Sequence, residues 1–208
     1  MTQDELLADL TPPQREAASH VDGPLLIIAG AGSGKTRVIT RRVAYLIGLG
    51  IQPSSILAIT FTNKAAGEMK SRIGAAMNRD LRDFGRLDTY GPTICTFHSL
   101  CLRVLKHYAT RIGLAPNFTI FDSSDQTKLI KEAIKLLEMS TTNFSPGSVH
   151  STISNAKNQL LTNEAFAEGA KDFYQRQVAR IYTKYQQLLN QSNGLDFDDL
   201  LLKTAYAL

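Results

Sequence analysis

Leu25-Leu26-Ile27-Ile28-Ala29-Gly30-Ala31-Gly32-Ser33-Gly34-Lys35-Thr36 is the stretch that decides the fold class. Its first half, Leu25–Ala29, is an unbroken apolar run of strand length, which predicts a strand buried on both faces as in a parallel sheet. Its second half fits the phosphate-loop pattern with Ala29 in place of the first glycine. Glycines at 30, 32 and 34 let the backbone curl until successive amides point inward at phosphate oxygens. Behind them, Ile39, Val43, Leu46 and Ile47 recur at the helical period, and the N-terminus of that helix adds its positive end. Lys35 then reaches β- and γ-phosphates as a point charge, and Thr36 sets a hydroxyl on Mg²⁺. The expected ligand is a nucleoside triphosphate, ATP or GTP.

Upstream, Thr11-Pro12-Pro13-Gln14 predicts a short helix, with a Thr–Gln capping box and prolines suited to the first turn. Downstream, the βα pattern repeats. Ile56–Ile59 reads as a second buried strand, Asn63 as the cap of a helix carrying Ala66, Met69, Ile73 and Ala76, and Thr93–Phe97 as a third strand. A helix with Cys101, Val104, Leu105 and Tyr108 on one side follows, closed by Gly113. From there the character changes to nearly all helix, after a short extended piece at 118–121. Ser123 with Gln126 predicts another capping box. Pro146 marks a break, and Tyr174, Val178, Ile181, Tyr185, Leu188 and Leu189 make one apolar stripe on the longest helix. Asn193-Gly194 stops it, and Asp196 with Asp199 is spaced as cap and third residue of a final helix.

A chain of 208 residues, 43% hydrophobic and 20% charged, has the balance of a globular protein and excludes disorder and fibrous repeats. No apolar run approaches the roughly 20 residues of a membrane helix, so no membrane is expected as a partner. The opening Met1–Glu5 lacks the order of a secretion signal, and a cytoplasmic location is expected. Cys95 and Cys101 fit no usual zinc spacing and read as buried apolar side chains. A net charge of +4 permits nucleic acid as a partner without requiring it.

Phosphate loops serve kinases, GTPases and motors alike, and the flanking segments narrow the choice. Gln14-Arg15-Glu16-Ala17 resembles the glutamine motif of superfamily 1 helicases, and Thr60–Met69 resembles their motif Ia. Thr96-Phe97-His98-Ser99-Leu100 resembles motif Ib, and Leu195–Leu201 looks like the segment leading into motif II. In this order and at these intervals, the segments resemble the UvrD/PcrA/Rep family of DNA helicases across essentially the whole chain. A phosphate-loop kinase would not need Thr62-Asn63-Lys64-Ala65-Ala66 after its second strand.

The resemblance implies an α/β fold: a partial RecA-like parallel sheet with an all-helical inserted subdomain. Residues 1–113 would form the first part of domain 1A, 114–192 the insertion 1B, and 193–208 the return to 1A. It implies ATP and Mg²⁺ as cofactors, held by Ala29, Gly30, Ala31, Gly32, Ser33, Gly34, Lys35 and Thr36. Gln14 would recognise the adenine edge, where a side-chain amide both donates and accepts, or serve the capping box, or both. Arg37 would lie against base or ribose, or be a solvated helix residue.

The implied partner is single-stranded DNA, with single-strand/duplex junctions, in repair or replication. Phe61 follows the second strand at its C-terminal end, where ligands of open α/β sheets gather, and would stack on a base rather than join the core. Thr60, Thr62 and Asn63 would bond the DNA backbone. His98 would touch DNA or act as a capping or core histidine. Asp196, Asp198 and Asp199 suggest a metal cluster less than capping with solvation.

Motif II, the acidic pair that holds Mg²⁺ and activates water, is expected only beyond Leu208. The chain is therefore expected to be an N-terminal portion that binds nucleotide without hydrolysing it, from a 3′-to-5′ helicase. The rival from another class is a naturally short, non-catalytic module that occupies DNA or regulates a helicase.

Overall fold

In a computed structural model, residues 3–77 and 91–208 are described. They form two compact units, Met1–Phe97 and His98–Leu208. This division lies in the first turn of a helix, earlier than the boundary expected after Gly113.

In the first unit, α1 (Gln3–Leu7) and α2 (Pro12–Ser19) precede the glycine-rich loop, and α3 (Lys35–Gly48) follows it. Strand β1 (Leu57–Thr60) leads to α4 (Asn63–Ala76), and β2 (Thr93–Thr96) runs directly into α5 (Phe97–Tyr108). β1 and β2 pair in parallel, with Leu57 opposite Thr93 and Thr60 opposite Thr96. Helices α3 and α4 cover this pair through Val43, Met69 and Ile73, against Ile56, Ala58 and Ile94. A smaller apolar cluster joins Leu7, Leu10, Ala18 and Val38, which fastens α1 and α2 to the start of α3.

The helix starts follow from capping chemistry, with shifts of one residue. Thr62 caps α4, its hydroxyl accepting from the Ala65 amide at 3.1 Å, where Asn63 was expected to. Asp122 caps α6 (Ser123–Leu136), accepting from Ser124 and Asp125, where Ser123 was expected to. Gln126 instead turns inward and donates to the Phe121 carbonyl.

The buried strand expected at Leu25–Ala29 is not formed. The segment takes no regular secondary structure and pairs with neither β1 nor β2, and Leu26 and Ile28 are 83% and 89% exposed. The reason is physical. An apolar run is buried on both faces only when strands flank it and helices cover it, and no described strand lies beside this one.

The second unit holds α5 from His98 onward, β3 (Thr119–Phe121), α6, α7 (Pro146–Asn158), α8 (Asn163–Gly169), α9 (Phe173–Gln191), β4 (Gly194–Asp196) and α10 (Phe197–Ala207). Most of the stripe read on α9 is its core face: Val178, Ile181, Tyr185 and Leu189 are buried, against Ile130 and Ile134 of α6 and Val149 and Ile153 of α7, with Leu188 partly buried and Tyr174 exposed at the N-terminal end. Each such aliphatic side chain contributes about 1.5–3 kcal/mol when fully buried. β4 pairs in parallel with β3, setting Gly194 opposite Thr119 and Asp196 opposite Phe121. Glycine is needed there, because a Cβ at 194 would run into the Phe121 ring. Cys101 packs with Leu105, Phe118, Leu195 and Leu200, and both cysteines are buried, neither in a disulfide.

Among the described residues no helix is long and apolar enough to cross a membrane, and no cluster of His, Cys, Asp or Glu is arranged to hold a metal ion.

Candidate functional site

The loop from Ala29 to Gly34 is shaped by its glycines. Gly32 and Gly34 take left-handed backbone at φ 75° and 84°, conformations that side-chain-bearing residues rarely adopt. Gly34 is the N-cap of α3, so the loop ends on the amides that open that helix. Ser33 closes the turn, its hydroxyl donating to the Gly30 carbonyl at 2.8 Å. Lys35 bends back over the loop and donates from Nζ to the carbonyls of Ala29 (2.8 Å) and Gly30 (2.6 Å). Its ammonium thus sits at the mouth of the loop it was expected to serve, and Thr36 is exposed beside it. Ideal Cβ positions at Gly30 and Gly32 meet nothing within 4 Å, which leaves open space around the loop backbone. These features fit a polyphosphate with its cation.

Gln14 is brought to the loop from α2. Its Oε1 accepts from the Thr11 amide at 3.1 Å, and its Nε2 donates to the Ser33 carbonyl at 2.9 Å. Of its two expected uses the capping box is formed, and the other end of the amide bonds the glycine-rich loop, a contact the sequence did not suggest. A Cβ on Gly34 would strain its left-handed backbone and, at 2.9 Å from the same Nε2, would make the Gln14 amide shift from its bonds.

Arg37 is not free in solvent. Its guanidinium binds the Asp9 carboxylate at 2.6 Å and the Asp9 carbonyl at 2.8 Å, while Arg41 reaches the same carboxylate at 2.9 Å. The Arg37 hydrogen bond, reinforced by Arg41, holds the Asp9 carboxyl below its usual range. Sequence reasoning missed Asp9, because a partner 28 residues away leaves no local pattern.

The second cluster stands at the C-terminal ends of β1 and β2. With Thr60 opposite Thr96, the next residues, Phe61 and Phe97, fall side by side. Their ring centroids are 5.6 Å apart, and Phe61 is 86% exposed. Phe61 is therefore not core. Thr60, Thr62 and Asn63 surround it in sequence, Thr62 spending its acceptor on the α4 cap.

In the second unit, His98 is exposed and meets the ring of Phe197 edge-on, centroids 6.0 Å apart. Phe197 is 44% exposed at the first position of α10. Its neighbours Asp196 and Asp199 form the expected capping box, but they are not solvated. Both are buried against Lys157 of α7.

The described chain is mixed α/β, with short parallel strand pairs among many helices and a Gly-Ser-Gly-Lys-Thr turn that opens α3. The family model for the UvrD/REP helicase N-terminal domain matches residues 10–208, and the chain belongs to that family. Over 201 residues it is 45% identical to the ATP-dependent DNA helicase PcrA of Bacillus subtilis, covering 96% of this chain and 26% of that protein. The PcrA helicase of Leuconostoc citreum is 45% identical over 206 residues (98% and 26%), and that of Staphylococcus epidermidis 44% over 200 (96% and 26%). The chain thus spans about a quarter of the length of the curated relatives it matches.

Proposed function

We infer that this chain is the ATP- and single-stranded-DNA-binding N-terminal portion of an ATP-dependent helicase that moves 3′ to 5′. The observation that carries the DNA half of this reading is the Phe61–Phe97 pair. A phenylalanine 86% exposed among polar residues at a strand end gains nothing from the core. The same pair offers faces on which unstacked bases sit, each worth about 1–3 kcal/mol. Thr60, Thr62 and Asn63 supply hydrogen bonds to the DNA backbone, and His98 with Phe197 offers a further aromatic contact.

The nucleotide half rests on the loop. Lys35 exchanges its two carbonyl partners for β- and γ-phosphate oxygens, and Thr36 is the hydroxyl for Mg²⁺. Gln14 spends one of its two donors and one of its acceptor sites within the protein, which leaves one of each for an adenine edge. Arg37, held by Asp9, is a planar cation already fixed in direction beside the loop. When bound, MgATP supplies the cleavable phosphoanhydride; the residues of this chain bind and orient it.

In this reading 1–113 is the first part of a RecA-like domain 1A, 114–192 the helical insertion 1B, and 193–208 the return to 1A, in a cytoplasmic protein of DNA repair or replication. Junctions of single strand and duplex are the substrates. The test is unwinding by the full-length parent of duplexes bearing a 3′ or a 5′ single-stranded tail. Unwinding of the 3′-tailed substrate alone, lost with Lys35→Ala, is expected. Equal unwinding of the 5′-tailed substrate would refute the polarity.

A further inference from the structure

One charged side chain of the second unit is buried among two carboxylates and two tyrosine rings. Lys157, in the last turn of α7, has a side chain 0% exposed. Its Nζ is 2.6 Å from Asp196 Oδ2 and 2.8 Å from Asp199 Oδ1. The ammonium also stands 5.7 and 5.3 Å from the ring centroids of Tyr182 and Tyr185, and the Tyr185 hydroxyl donates to Asp196 Oδ2 at 2.7 Å.

Capping alone does not call for this arrangement. Asp196 accepts from the Asp199 amide at 2.7 Å, and Asp199 accepts from the Asp196 amide at 3.3 Å. A solvated capping box does the same without burying two carboxylates and an ammonium. Such burial carries a desolvation cost that the pairing roughly offsets, so little net stability comes from it. Burial raises the Asp199 carboxyl above its usual range even with the Lys157 ammonium opposing. What the cluster does supply is direction. It ties the first turn of α10 to a helix 39 residues upstream, at the turn that carries Phe197.

We propose that Lys157 is a positioning residue for DNA binding: by clamping Asp196 and Asp199 it fixes the first turn of α10, and so holds the exposed Phe197 ring against His98 in the orientation that receives a base. This rests on the reading of Phe197 as a DNA contact. The ring is the only part of that turn's apolar surface presented half to solvent, since Leu200 beside it is buried. An aromatic platform works by being held still, because a mobile ring loses entropy on stacking that a fixed ring has already lost.

The test is a double-mutant cycle on the 208-residue chain with a fluorescent oligothymidylate, melting temperature being read alongside. Phe197→Ala alone weakens binding by about five-fold or more. Lys157→Met weakens it comparably, and adding Phe197→Ala to Lys157→Met costs nothing further. Phe61→Ala keeps its full effect in both backgrounds. Lys157→Met leaves two buried carboxylates unpaired, so a variant that also carries Asp196→Asn and Asp199→Asn, which keeps a capping oxygen, runs through the same cycle should the single change not fold. A folded Lys157 variant that binds like the wild type, or an equal Phe197→Ala effect in both backgrounds, reduces Lys157 to a core residue. If Phe197→Ala is silent while Phe61→Ala is not, the positioning role falls and the DNA reading stands; if both are silent, both fall.

Discussion

Gln14 and Ser33 are joined by a hydrogen bond of 2.9 Å from the side-chain amide of one to the backbone carbonyl of the other, across 19 residues of sequence. Through it the short helix α2 and the phosphate loop become one structural piece. The other end of the same amide closes the turn at Thr11. Changes at Gln14 are therefore felt in two places.

Gln14→Ala removes both bonds, each worth about 0.5–1.5 kcal/mol. The first unit should melt a few degrees lower, and preference for ATP over GTP should shrink as the adenine contact is lost. Competition binding with the two nucleotides checks this. An unchanged preference would confine Gln14 to its structural bonds. Gly34→Ala is the sharper change, since left-handed backbone and the 2.9 Å approach to Gln14 Nε2 both oppose a side chain. It should abolish nucleotide binding outright.

Phe61→Ala and Phe97→Ala should each weaken single-strand binding by about 1–3 kcal/mol. For Phe61, 86% exposed, melting temperature should hardly move. Anisotropy titrations at several salt concentrations provide the measurement, and affinity should fall as salt rises because Lys and Arg contacts release counterions. A large loss of stability with intact DNA affinity would return Phe61 to the core.

How far these sites were legible in the sequence depends on the range of the interaction. The glycine-rich turn before α3 and the capping boxes at Thr11/Gln14 and Asp196/Asp199 are local patterns; the turn and both boxes are formed, with Asp196 and Asp199 buried where solvation was expected. The caps at Thr62 and Asp122 were displaced by one residue because Thr62-Asn63 and Asp122-Ser123 each place two capping types in a row. β4 was missed because Gly194-Leu195-Asp196 has the composition of a turn, and only its partner β3 makes it a strand. Phe97 became visible as the partner of Phe61 through the strand register, and Lys157 through a contact 39 residues away. Leu25–Ala29 marks the limit from the other side: apolar composition predicts burial only where the covering elements are present.

That exposed run has a consequence in solution. Leu26 and Ile28 present exposed apolar side chains on backbone that pairs with neither described strand of its unit. Exposed apolar segments of this kind invite association between chains. The 208-residue chain should self-associate on sedimentation, and Leu26→Lys with Ile28→Lys should suppress it. Amides of 25–29 should exchange with solvent faster than those of α9, whose core face is buried. A wild-type chain that stays monomeric, or equal protection in the two segments, would show that 25–29 is covered in solution.

The central claim is that the loop from Ala29 to Thr36 binds ATP, with Lys35 as its phosphate cation. Among the described residues Lys35 bonds only loop carbonyls, and it is exposed, so its removal should leave the fold intact. Equilibrium binding of labelled ATP with Mg²⁺ to the wild-type chain and to Lys35→Ala, with circular dichroism on both, measures this directly. The account predicts saturable binding to the wild type and none to a Lys35→Ala chain of unchanged helicity and melting temperature. Equal ATP binding by the two folded proteins would contradict it.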